Sequence, residues 1–234
     1  MTTDCYASFC PVAKACEIIE PRWTLLILSE LASGAARFNE IRRGVPGISP
    51  TLLSKRLKEL EQHGLVRRTQ ADGGETRYTL TPMADELVPV VQALGKWAHR
   101  NIDKDVSLEK LDARLLMWNM RRRIDAAALP RGKTTVIQFT YPELPAKEQH
   151  YWLVARQGQP VDLCLLDPGH DVDLFIRADL KAMTSAWMGW SRLRAEIDAN
   201  KIALIGDRKL IATLEKWMVC SGYGAAAAEQ RTAA

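Results

Sequence analysis

An α+β chain in two parts is what the sequence predicts, and three observations carry that reading. Apolar residues recur at helical spacing through roughly the first hundred positions. Two short β-like runs, Leu65 to Gln70 and Thr76 to Thr81, flank the turn-rich segment Ala71-Asp72-Gly73-Gly74-Glu75. A second group of alternating runs fills residues 134–177, with breaks at Pro142, Pro145, Gly158, Pro160 and Pro168-Gly169. At 234 residues the chain has length for two domains, each with its own core. Its 47% hydrophobic and 26% charged residues exclude a disordered chain. No apolar run approaches the roughly 18 residues of a membrane span, so no membrane partner is expected. No basic stretch precedes an apolar one near the N-terminus, so no secretory signal is expected either. The five cysteines (Cys5, Cys10, Cys16, Cys164, Cys220) are odd in number and lack a C-x-x-C pair, which argues against a disulfide scaffold or a structural zinc site. The cytoplasm is the default compartment.

Element by element, Val12 to Ile19 reads as a short helix broken at Pro21. Trp23 to Leu31 reads as a buried second helix stopped by Ser33-Gly34. Phe38 to Arg43 is a third, ended by Gly44, Pro46 and Gly47. Ser49-Pro50 then opens a fourth. The serine hydroxyl can accept from the free amides of the first turn, and proline there has no N–H to waste. This helix runs to about His63, with Gly64 as its stop. Leu53, Leu57 and Leu60 set its buried face. Thr51, Ser54, Lys55, Lys58 and Gln62 lie opposite, where hydroxyls can read base edges and lysines can neutralise phosphates. The two β-like runs make a hairpin whose arms carry Arg67, Arg68 and Arg77. Three helices, a capped fourth and a basic hairpin make a winged helix-turn-helix; a scaffold of the same shape that binds protein is the alternative. Pro82 starts a fifth helix through about Asn101, with Leu87, Val90, Val91, Leu94, Trp97 and Ala98 as a broad apolar stripe.

Charge placement supports the winged-helix reading. The net charge of +4 is too small by itself to indicate nucleic acid. The window Arg37 to Arg77, however, holds nine basic against five acidic residues, and the rest of the chain balances. A solvated surface is the bland reading of that cluster. A second small cluster, Arg121, Arg122, Arg123, Arg131 and Lys133, is offset by later acids.

Residues 8–102 resemble the HxlR-type winged-helix transcription regulators. The resemblance rests on Cys10-Pro11-Val12, Trp23-Thr24-Leu25-Leu26-Ile27-Leu28, Arg37-Phe38-Asn39-Glu40-Ile41 and Ile48-Ser49. Leu52 to Leu60, Gly64-Leu65-Val66-Arg67-Arg68 and Tyr78-Thr79-Leu80-Thr81-Pro82 follow in the family's order. It implies a homodimer, acting as a repressor on double-stranded operator DNA of dyad symmetry. Ser49, Thr51, Ser54, Lys55 and Arg56 would belong to the recognition helix, Arg37 would contact phosphate, and Arg68 and Arg77 would belong to the wing. Arg56 sits beside the buried stripe, where an intramolecular ion pair is the alternative. By the same resemblance the fifth helix, with the first, builds the dimer interface; packing on its own chain is the other reading. Cys10 matches a position that some members use as a redox or electrophile sensor, and Lys14 one turn on would favour its thiolate. A small buried residue near the interface is the alternative.

The second half starts after the polar segment Asn101 to Ser107, giving expected domains of 1–106 and 107–222 with a disordered tail from 223. A helix is expected at Leu108 to Ile124, with Leu111, Leu115 and Trp118 on one face. Strands are expected at Thr134 to Tyr141, His150 to Arg156, Val161 to Leu166 and Val172 to Arg177. Val161, Leu163, Leu165, Val172, Leu174 and Ile176 share a face in that reading. The chain then reads as helices at Asp179 to Trp190 and Arg192 to Ala199, a strand at Ile202 to Ile205, and a helix at Arg208 to Val219. The meander followed by Asp179-Leu180, Met183, Trp187 and Gly189-Trp190, then by Asn200 to Trp217, resembles the sterol-carrier-protein fold across residues 110–220. That resemblance implies a mostly antiparallel five-stranded sheet covered by helices, enclosing an apolar cavity. Five of the seven tryptophans lie here. Trp118, Phe139, Trp152, Leu163, Leu174, Met183, Trp187, Trp190 and Trp217 are the candidate lining of a pocket for a hydrophobic or aromatic effector, with core filling as the other reading.

Enzyme readings fail on the motifs, and no cofactor is expected. Arg131-Gly132-Lys133-Thr134 lacks the earlier glycine of a phosphate loop, where Ala127 stands. Gly189-Trp190-Ser191 lacks the second glycine of a nucleophile elbow. His63, His99, His150 and His170 show no metal-ligand spacing. The expected function is thus a dimeric regulator whose second domain senses a hydrophobic small molecule. A purely structural second domain, or a redox switch at Cys10, would serve instead.

Overall fold

Proline and glycine punctuate the N-terminal unit, Met1–Trp97, at the ends of its helices. The computed structural model describes residues 6, 8–71, 73–130, 132–156 and 158–225. Helix α1 (Pro11–Ile19) is followed by α2 (Thr24–Ala32), α3 (Phe38–Gly44) and α4 (Pro50–Gln62). Strands β1 (Val66–Gln70) and β2 (Thr76–Leu80) then pair antiparallel as the expected hairpin. Ser49 caps α4 as its sequence implies, its Oγ accepting from the Leu52 amide at 3.2 Å. Gly64 follows the helix at φ +70°, a conformation that a side chain would strain. Leu53, Leu57 and Leu60 are buried against Ile27, Leu31, Ile41 and Val66, so α4 is fixed by one apolar face and its polar side is left outward.

The helix expected at Pro82 to Asn101 is two helices: α5 (Pro82–Asp85) and α6 (Val88–Asn101). Pro89 explains the break. It has no N–H, and its ring would meet the Asp85 carbonyl in a continuous helix. The chain turns at Glu86 and Leu87 instead, with the Leu87 amide donating to Ala84 O at 3.0 Å.

The second unit, Ala98–Ala234, begins within α6. The helix expected at Leu108 to Ile124 starts five residues later, at Ala113, and the segment expected to be a polar boundary holds a helical turn of its own. A short α7 (Lys104–Ser107) precedes α8 (Ala113–Met120), and a 3₁₀ turn follows over Arg121–Arg123. Asp112 sets the start of α8 by accepting from the Leu115 amide at 3.0 Å. The buried stripe is Ala113, Leu116, Met117 and Met120, and Leu115 is only partly covered. A run of four apolar residues, Leu115-Leu116-Met117-Trp118, left the inward face ambiguous in the sequence.

The five-stranded sheet has the order β5 (Asp162–Cys164), β4 (His150–Ala155), β3 (Thr135–Thr140), β6 (Leu174–Ala178), β7 (Ile202–Gly206). Only the β3–β6 pair is parallel. Helices α9 (Leu180–Met188), α10 (Leu193–Asp198), α11 (Arg208–Ala212) and α12 (Leu214–Trp217) complete the unit. The helix expected at Arg208 to Val219 is thus interrupted at Thr213, whose ψ of 15° departs from the helical value. The β5 strand is shorter than expected, leaving Leu165 and Leu166 exposed. Val172 lies before β6 and packs with Trp152 rather than sharing the Leu174 and Ile176 face. Residues 222–225 form a helical turn; the rest of the expected tail, 226–234, lies outside the described residues. Among the described residues no helix is long and apolar enough to cross a membrane.

Candidate functional site

The outward side of α4 carries Thr51, Ser54, Lys55 and Lys58, all exposed. Two neighbouring residues behave differently. The Ser49 hydroxyl accepts from the Leu52 amide, which fixes where α4 begins. Arg56 is held inside the unit: its Nε donates to Arg22 O at 3.1 Å and one terminal nitrogen to Glu59 Oε2 at 2.5 Å. That is the intramolecular alternative its position beside the leucine stripe allowed. Lys55 Nζ lies 3.9 Å from Glu59 Oε1 and remains mostly exposed.

Glu75, in the turn of the hairpin, organises the arginines around it. Its Oε1 is 2.8 Å from Arg37 Nε, and its Oε2 accepts from Arg77 Nε at 3.0 Å. Backbone pairing between Arg37 and Arg77 joins the start of α3 to the hairpin. Glu40 Oε1 lies 4.0 Å from the same Arg37 nitrogen, so two carboxylates stand beside the two guanidinium groups, which fixes their side chains and offsets much of their field. Strand alternation sorts the remaining arginines. The register pairs Arg67 with Thr79, Arg68 with Tyr78 and Thr69 with Arg77. Arg67 therefore shares a face with Arg77, and Arg68 lies on the other face beside half-buried Tyr78. Arg67 is the residue that the sequence-based wing assignment, Arg68 with Arg77, left out; counting in twos from Arg77 through the register finds it.

Cys10 is exposed and occupies the N-cap position of α1. The amides of Ala13 and Val12 hold its thiol below the ordinary range, against a small opposing effect of burial. Lys14, the expected helper, instead places its Nζ 3.0 Å from Glu17 Oε1. The α6 stripe is half open: Val90, Leu94 and Trp97 are each at least 50% exposed, as are Phe9 and Val12 ahead of and within α1.

Residues 18–106 match the HxlR-like helix-turn-helix family model. The uncharacterized HTH-type transcriptional regulator YvaP of Bacillus subtilis (strain 168) is 39% identical over 100 residues, covering 42% of this chain and 93% of that protein. The chain belongs to the HxlR-like helix-turn-helix family. The HTH-type transcriptional regulator YodB of the same organism is 37% identical over 94 residues, covering 39% of this chain and 84% of that protein. A solved structure titled as the redox regulator HypR in its reduced form is 31% identical, covers 42% of this chain and 99% of that chain, and superposes with a TM-score of 0.38.

Beyond the HxlR-like segment, the nine candidate lining residues do not converge on one space. Phe139, Leu174, Met183 and Trp217 are fully buried in the main core, with Leu163 packed at its edge. Trp217 satisfies its indole N–H by donating to Leu210 O at 2.9 Å. Trp152 packs with Val136 and Val154 on the opposite face of the sheet, since it pairs with Gln138, the neighbour of Phe139. Trp118 is buried under guanidinium groups, with Arg121 3.6 Å and Arg122 5.0 Å from its ring centre. Trp187 and Trp190 alone of the nine line a surface cavity of about 560 Å³, near the end of α9. Among the described residues no three His, Cys, Asp or Glu side chains are grouped to hold a metal ion.

Proposed function

We propose that this HxlR-like protein is a homodimeric, DNA-binding transcriptional repressor. The observation that carries the reading is the outward face of α4. Thr51, Ser54, Lys55 and Lys58 stand exposed on a helix capped at Ser49 and anchored by three leucines. Such a helix can lie in a major groove, hydroxyls toward base edges and lysines toward phosphates. Arg77 and Arg67 on one face of the hairpin, with Arg37 tied to the same turn, would follow the adjacent backbone. Arg68 is kept as a wing residue by the family resemblance, on the other face. Lys55→Ala and Arg77→Ala test the face in a DNA mobility shift at several salt concentrations. Each is expected to weaken operator binding and to lower the salt slope by about one, the signature of a lost phosphate contact. Unchanged affinity and slope in both would overturn the assigned face.

The second unit is read as a sterol-carrier-protein-like sensing domain, residues 107–222. Support comes from its five-stranded, mostly antiparallel sheet with a helix-covered core. A ligand there would regulate DNA binding only by favouring one placement of the two recognition helices in the dimer over another. A second reading makes Cys10 the switch. It is favoured by an exposed sulfur at a helix N-terminus with a lowered pKa.

A further inference from the structure

The corner between α1 and α2 holds an unfavourable backbone. Trp23 lies at φ +84° and ψ −17°, in the left-handed region that a bulky side chain seldom enters. Such a conformation persists only where its surroundings over-determine it. Here they include the approach to the recognition helix. The Trp23 ring reaches the turn before α4, its Cη2 3.4 Å from where a Cβ on Gly47 would stand. The Arg22 guanidinium covers the ring, 4.7 Å from its centre. Trp23 also packs on the core of the unit, and its carbonyl accepts from the Ile27 amide at 2.9 Å.

The same corner grips α4 a second time, in the second turn of that helix. Arg22 O accepts from Arg56 Nε at 3.1 Å, and a terminal nitrogen of Arg56 donates to Glu59 Oε2. Leu53, Leu57 and Leu60 hold α4 on the core, but apolar contact has no direction and does not by itself stop a swivel. A hydrogen bond at one point and a ring at another do. The corner is also where α1 ends. The Glu20 amide donates to Cys16 O at 2.9 Å, which carries the helix up to Pro21, and the Thr24 amide donates to Pro21 O at 3.1 Å. No residue of α1 is buried, and among the described residues it meets the core through Ile18. Thus α1 is lightly seated on the core and firmly joined to a corner that holds α4.

We propose that the Arg22-Trp23 corner couples α1 to the recognition helix, with Trp23 and Arg56 as positioning residues that set the direction of α4. This rests on the DNA-binding reading of α4 and adds to it a route by which a displacement of α1 reaches the DNA-facing side chains. Neither positioning residue needs to touch DNA. Coupling of this kind is reciprocal, so whatever fixes α4 is felt at α1.

Duplex DNA selected from a random pool by the wild-type protein is the probe, with full-length variants compared in mobility shifts at several salt concentrations. Arg56→Met keeps the stem and removes the guanidinium. Trp23→Gly suits the positive φ and removes the ring. Each is expected to weaken binding about tenfold with the salt slope unchanged, because no phosphate contact is lost. A slope lower by about one in Arg56→Met would assign Arg56 to a phosphate and overturn the proposal. Full affinity in Arg56→Met would overturn it too, even if Trp23→Gly fails to fold. The link to α1 is read at Cys10, whose exposed thiol stands at the start of that helix. Saturating DNA is expected to slow its alkylation by iodoacetamide about fivefold in the wild type and to leave the rate in Arg56→Met unchanged. Equal slowing in the variant would mean that DNA covers Cys10 directly, and no slowing in the wild type would mean that α1 is not coupled; either ends the proposal. A wild-type protein that selects no duplex is a different outcome, which overturns the reading of α4 itself and this inference with it.

Discussion

The thiols of Cys10 and Cys164 sit in opposite electrostatic settings. Cys10 is exposed at the start of α1, where the amides of Ala13 and Val12 favour the thiolate. Cys164 is partly covered on β5, and burial followed by the Asp162 carboxylate pushes its thiol up. A lowered pKa means that the reactive thiolate appears at lower pH. Cys10 is therefore expected to be carboxamidomethylated by iodoacetamide at a pH below that needed by an ordinary thiol, and Cys164 only above it. Peptide mass spectrometry after brief labelling across a pH series reads both. Labelling of Cys10 that needs as high a pH as Cys164 would end the redox reading. That cysteine was visible in the sequence, but its cause was not. Lys14 at one helical turn looked like the activating group, yet Glu17 one turn further engages it, and the backbone amides act instead. Arg56 went the other way: expected on the recognition helix, with an intramolecular ion pair as the alternative, it takes the alternative and pairs with Glu59.

At the scale of elements, the end of β7 makes a sharp demand on one residue. Gly206 adopts φ +143°, and a Cβ there would lie 2.3 Å from Asp173 O and 2.9 Å from Leu174 Cα. Both obstacles are backbone, so neither can swing aside. The next residue, Asp207, donates its amide to Asp173 O and caps α11 through the Lys209 and Leu210 amides. Gly206→Ala is expected to destabilise the second unit by more than about 2 kcal/mol. Gly222→Ala, with open space around its Cα, should stay within about 0.5 kcal/mol. Urea titration followed by tryptophan fluorescence measures both; a small effect at Gly206 would count against this pairing of β6 and β7. The sequence announced elements where local chemistry and burial agreed. Ser49-Pro50 with three leucines at helical spacing gave α4 to within a residue, and Gly73-Gly74 gave the hairpin turn. It misled where one long apolar pattern concealed a break. Pro89 splits α5 from α6 through its missing N–H, and Thr213 splits α11 from α12. The candidate lining failed to gather for a related reason. Alternation tells which residues share a face of one strand, but not which face of the sheet the helices cover. Trp152 and Phe139 end on opposite sides accordingly.

Across the whole molecule, the question is what covers the α6 stripe. Val90, Leu94 and Trp97 are 57%, 50% and 53% exposed, and Phe9 before α1 is 99% exposed. A monomer seldom leaves large apolar side chains open at such spacing, and a second copy of the chain would cover them symmetrically. Dimerisation also has a consequence for DNA. Two recognition helices about 34 Å apart would engage successive major grooves of a palindromic site, so operator affinity depends on both. In sedimentation the protein is expected to run at twice its 26.2 kDa chain mass. Leu94→Glu places a charge in the stripe and should shift the species to one chain mass. Operator affinity should fall at least about tenfold in the same variant, because one half-site contact is lost and the dimer must form at the DNA's expense. The Leu94 side chain is half exposed, so the substitution should leave the melting temperature of the second unit in place. A wild-type chain that sediments alone at micromolar concentration, or a Leu94→Glu variant that remains paired, would show that this stripe serves another purpose.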